Sequence, residues 1–100
     1  MTFEESIQRL RAERVEREGA VLAALNSGTV EFSHNRMTHH FVAVTPSCCG
    51  EGLRFTRFDE DGISGHMEAR DKEALVREIV GEGFWSPAPG AMDRLQTLWI

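Results

Sequence analysis

From Glu4 to Glu18 the chain is a run of good helix formers carrying charges of both signs, placed ahead of any strand pattern, and this constrains the fold most. Thr2 followed by Glu5 has the spacing of a capping box, in which the two side chains satisfy each other's free backbone amides, so a helix is expected to begin here. Ile7, Leu10, Val15, Leu22 and Leu25 supply a narrow apolar stripe. Glu5 with Arg9 and Glu13 with Arg17 stand four residues apart, where opposite charges meet on a helix surface. Gly19 weakens the middle of the helix and marks an expected bend or close contact. Asn26, Ser27 and Gly28 provide the stop, since glycine closes a helix in the left-handed conformation without steric cost.

After Gly28 the hydrophobic period changes from helical to alternating. Val30, Phe32 and His34 share one side of a first expected strand, with Asn35 and Arg36 as a turn. His39 to Thr45 reads as a second, more apolar strand ended by Pro46. Residues 47–52 read as a loop, and Leu53 to Phe58 as a third strand. Asp59-Glu60-Asp61-Gly62 is a turn because its carboxylates accept turn amides and Gly62 tolerates positive φ. A fourth strand, Ile63 to Ala69, pairs back as a hairpin. Asp71 is placed to cap a helix from Lys72 to Gly81, with Leu75, Val76, Ile79 and Val80 toward the sheet. Ser86-Pro87-Ala88-Pro89-Gly90 reads as a loop, and Met92, Leu95, Leu98 and Trp99 then recur at the spacing of a short closing helix or docked tail. The expected fold is a single α+β domain over residues 1–100. It has a long N-terminal helix, an antiparallel sheet of three to four strands in hairpins, a second helix packed on the sheet, and a short C-terminal helix or tail.

Charge and composition narrow the function. The net charge of -5 opposes sequence-independent binding to naked DNA, which needs a basic footprint to release counterions, and a second helix placed to serve as a recognition helix is missing. Lys72 is the only lysine among eleven cations, an arginine bias expected of a high-GC bacterial or phage genome. Glu4 and Glu5 stand where a secretory signal would carry cations and an apolar run, and no stretch reaches membrane-spanning length. The expected location is therefore the cytoplasm of a bacterial host.

No nucleophile elbow, phosphate-cradling glycine loop or strong metal-ligand spacing occurs, so the chain reads as non-enzymatic, without cofactor. Cys48 and Cys49 are adjacent and form no ordinary disulfide, and reduced thiols are expected. His34, His39, His40 and His66 share a strand-rich region with them. His39 and His40 would point to opposite faces of a strand, and no spacing brings two ligands together. A small His/Cys metal-binding domain is thus a minor alternative.

Two polar surfaces are candidate binding sites. The first is the acidic hairpin tip, Asp59, Glu60 and Asp61, continued by Glu68, Asp71, Glu73, Glu78 and Glu82: eight acids against three cations between residues 59 and 83. Such a surface is suited to basic residues that otherwise hold nucleic-acid phosphate. The second is the first helix, where Arg11, Glu13, Arg14 and Arg17 offer mixed charge and the planar, multidentate contacts of arginine. Each is equally compatible with a plain solvated surface. Trp85 and Trp99 complete a small core or, in an adaptor that binds another protein, form an exposed anchor.

In size, acidity, arginine bias and α+β pattern, the chain resembles the small proteins of phages and mobile elements, anti-CRISPR proteins prominent among them. The passage Asp61-Gly62-Ile63-Ser64-Gly65-His66-Met67, the helix after it and Pro87-Ala88-Pro89-Gly90 look like such phage-associated proteins. The resemblance implies a stoichiometric inhibitor that binds a guide-RNA surveillance complex, a ribonucleoprotein, and blocks its recognition of target DNA. The acidic hairpin would cover basic DNA-binding residues, and the mixed-charge helix would wedge between subunits. It assigns a role to no individual residue.

Overall fold

The computed structural model describes residues 2–47 and 51–96. The first helix, α1 (Phe3–Asn26), begins where the capping box places it: the Glu5 amide donates to Thr2 Oγ1 at 3.2 Å, and the Thr2 amide donates to Glu5 Oε2 at 3.3 Å. It ends at Ser27, with Gly28 at φ 98°. The helix runs through Gly19 unbroken, and a Cβ built there meets nothing within 4 Å, so the close contact expected there is not made. Gly19→Ala is accordingly expected to raise stability by about 0.5–1 kcal/mol, read as a higher urea midpoint with an unchanged slope.

The rest of the chain follows as β1 (Glu31–His34), β2 (Phe41–Pro46), β3 (Leu53–Asp59), β4 (Gly62–Ala69), α2 (Lys72–Gly81), β5 (Phe84–Pro87) and α3 (Ala91–Gln96). The strands form one antiparallel sheet in the order β4-β3-β2-β1-β5. The sheet has five strands where three to four were expected, because part of the stretch read as a loop pairs with β1, Ser86 opposite Ser33. Pro87 is tolerated there as the last residue of an edge strand. The second strand begins at Phe41 and not at His39: His39, with φ 62°, and His40 both belong to the connection between β1 and β2.

Antiparallel register sorts side chains onto two faces. On the first, Phe32, Val42, Val44 and Phe55 pack with Val21 of α1, with Leu75, Val76, Ile79 and Val80 of α2, and with Phe84. On the second, Ala43 and Phe58 meet Ala91 and Leu95 of α3, with Phe41 stacked on Phe58. The Glu31 carboxylate fixes α3 on that face by accepting from the Gly90 amide at 2.8 Å and the Met92 amide at 2.6 Å. Trp85 is half-buried against the first core. Cys48, Cys49, Leu98 and Trp99 lie outside the described residues.

α2 lies against the C-terminal half of α1 and runs antiparallel to it. Lys72 Nζ donates to Asn26 Oδ1 at 2.8 Å at one end, and Gly81 adjoins the Arg14 guanidinium at the other. α1 is 24 residues long and α2 only 10, so residues 3–13 of α1 extend past the end of α2 by about 16 Å.

Candidate functional site

The strand and helix directions bring both candidate surfaces to the same end of the molecule. β3 delivers the hairpin tip to the end where α2 finishes, as the ion pair between Arg57 and the α2 C-cap residue Glu82 shows, and the extension of α1 leaves from there too. The tip stands on the β3–β4 edge of the sheet and α1 packs near β5, so the two flank that end from opposite sides.

The hairpin turn is built locally. Asp59 Oδ1 accepts the Asp61 amide at 2.8 Å, Gly62 has φ 124°, and only Glu60 and Asp61 lie between the strands. A bulge follows, in which Ser64 is the extra residue and its hydroxyl donates to the Arg57 carbonyl at 3.3 Å. Asp59 is half-buried, with Oδ2 4.0 Å from His40 Nδ1. Glu60 and Asp61 are exposed, and among the described residues no cation pairs with either.

The remaining acids of the expected surface are dispersed. Glu68 lies on the second sheet face and accepts from Arg54 Nε at 2.7 Å. That guanidinium, together with a hydrogen bond to Ser47, holds its carboxyl below the usual glutamate range. Asp71 caps α2 by accepting the Ala74 amide at 2.8 Å, and Glu82 is engaged by Arg57. Glu73 lines a shallow groove of about 170 Å³ between α1 and α2 with Glu18, Leu22, Val76 and Arg77. At the hairpin tip, Glu60 and Asp61 are left without a cation among the described residues, and Glu78, exposed on the last turn of α2, is likewise unpaired there.

The four candidate residues of α1 divide similarly. Glu13 pairs with Arg9 at 3.5 Å, while Arg14 pairs with Glu18 at 3.3 Å, where Glu13 with Arg17 was expected. The Arg17 guanidinium sits 4.1 Å over the Trp85 ring and shields it, a cation–π contact that the sequence spacing did not suggest. Arg11 is exposed on the extension, and among the described residues it has no ion-pair partner.

That extension carries the feature the sequence pattern assigned to the core. Leu10 is 63 % exposed and Val15 67 %, and α1 buries only Val21 fully. Phe3, 79 % exposed, joins Ile7 and Leu10 at spacings of four and three, and the same progression continues through Arg14 and Arg17 to Val21. The face that packs on the body at Val21 therefore runs outward as an apolar stripe that no element among the described residues covers. The 4-3 spacing from Phe3 was legible; what was not is that the body stops at Arg14.

The histidines are separated. His34 Nδ1 accepts the Arg36 and Met37 amides at 3.0 Å each, while His66 Nδ1 lies 2.9 Å from Thr56 Oγ1 on the second face. Among the described residues no three His, Cys, Asp or Glu side chains are grouped to hold a metal ion, and no helix is long and apolar enough to cross a membrane. Comparison with known proteins finds no matching family model, no similar curated protein and no similar solved structure.

Proposed function

We propose that this chain acts by binding and not by turnover, as an inhibitor of the anti-CRISPR kind that occupies the basic DNA-binding surface of a guide-RNA surveillance complex. The observation that carries the reading is the hairpin tip: Glu60 and Asp61 project from a two-residue turn at the sheet edge, exposed and paired with no cation among the described residues. A turn held by its own Asp59 carboxylate lowers the backbone-ordering cost of presenting two carboxylates, and their negative charge accelerates encounter with arginine- or lysine-lined surfaces.

The test is target-DNA binding by purified CRISPR surveillance complexes of several subtypes, measured by gel shift with equimolar protein present. One complex is expected to lose DNA binding. Glu60→Lys with Asp61→Lys is expected to weaken that inhibition at least tenfold, because like charges then meet across the contact. Unimpaired DNA binding by every complex at tenfold excess of the protein would overturn the reading.

A further inference from the structure

We infer that the overhanging part of α1 is a self-association surface, and that two copies of this chain pair antiparallel through residues 3–14. The geometry leaves a gap of matching length. Beside residues 14–26 of α1 the flank is filled by α2, which runs antiparallel to it. Beside residues 3–13 no described residue fills that flank, and the face carrying Phe3, Ile7 and Leu10 is exposed or half-buried, with no covering element among the described residues. A second copy's overhang, entering antiparallel, has the direction α2 has and the length of the gap it fills, since both come from the same helix. Each copy completes the other, as a two-fold contact requires.

The side chains specify the register and the direction. With Ile7 of one copy against Leu10 of the other, the two-fold relation repeats that layer and sets Phe3 against the aliphatic stem of Arg14 at both ends. The flanking positions of this register place Glu4 of each copy opposite Arg11 of its partner, two symmetric opposite-charge pairs. They use the one arginine of the overhang that is unpaired among the described residues. A parallel pairing of the same stripe would stack Arg14 on Arg14 and set Glu13 against Glu18 of the other copy, both like-charged. Charge therefore selects the antiparallel dimer. The overlap is about three helical turns, so the association is weak, with a dissociation constant on the order of 10–100 μM.

The inference is independent of the inhibitor reading, since sedimentation reads it with no second protein present. The experiment is sedimentation velocity of the full chain with reductant, for the wild type, for Glu4→Lys, for Arg11→Glu, and for an equimolar mixture of the two variants. The wild type is expected to shift from monomer to dimer as its concentration rises. Each variant alone is expected to weaken dimerisation at least tenfold, because both flanking pairs of its homodimer then join like charges, two cations in the first variant and two carboxylates in the second. The mixture is expected to recover a dimer as stable as the wild type within about threefold, since only the heterodimer is free of those like-charge contacts. Both positions are exposed, and circular dichroism checks that each variant is folded. A wild type that stays monomeric at about 1 mM, a hundredfold above the tight end of the expected range, would overturn the inference and leave the stripe to an unlike partner. So would a mixture no more dimeric than its components.

Discussion

Phe32→Ala is expected to lower the free energy of unfolding by about 3–5 kcal/mol, a large share of what holds a domain of this size together. The ring is completely buried, and it lies on β1, the strand that joins β5 to the rest of the sheet. The core cluster it belongs to draws on α1, α2 and three other strands, none free to collapse alone into the space a deleted ring leaves. Phe32→Leu keeps most of the volume and is expected to cost about 1–2 kcal/mol. Urea denaturation followed by circular dichroism reads both variants. A loss below about 1 kcal/mol for the alanine variant would mean that β1 and β5 contribute little to the cooperative unit.

Gly52→Ala has the second largest expected effect, about 2–4 kcal/mol, from two sources that one control separates. Gly52 has φ 120°, and a Cβ there would lie 2.7 Å from the Ala69 carbonyl oxygen and 3.3 Å from that of Arg70. Those oxygens belong to backbone leaving the end of β4, where Leu53 pairs with Ala69, so they retreat only by opening the sheet. Gly62 has nearly the same φ, 124°, but nothing within 4 Å of its Cβ position. Gly62→Ala therefore reports conformational strain alone, expected at about 1–2 kcal/mol. Equal losses at the two positions, measured by the same denaturation, would show that the approach of strand ends is not what requires glycine at residue 52.

The hairpin and the helix ends were legible because their determinants are close in sequence. Thr2 with Glu5, Asp59 with Asp61 and Gly62, and Asp71 with Ala74 each settle their hydrogen bonds within a few residues, whatever surrounds them. β5 was not legible: Phe84–Pro87 is four residues with a terminal proline, too short for alternation to register, and its partner β1 lies about fifty residues earlier in the chain. The candidate site was legible in part. The residues of the acidic tip are a local turn, but which acids are neutralised depends on Arg54 across the β3–β4 pair and on Arg57 against the end of α2.

The first helix shows most clearly where local information ends. Periodicity places Ile7, Leu10, Val15, Leu22 and Leu25 along one stripe, of which only Leu22 and Leu25 pack against the core, while Leu10 and Val15 are exposed. Whether each is covered depends on how far the opposing element extends, and α2 stops at Gly81, beside Arg14. By itself the sequence determined the elements other than β5, the caps of α1 and α2, the hairpin turn and the α+β class, because capping, turn chemistry and hydrophobic period act over a few residues. Only the tertiary structure decided the fifth strand, the pairing that leaves Glu60 and Asp61 uncompensated, and the bare face of α1, because burial and ion pairing are set by partners distant along the chain.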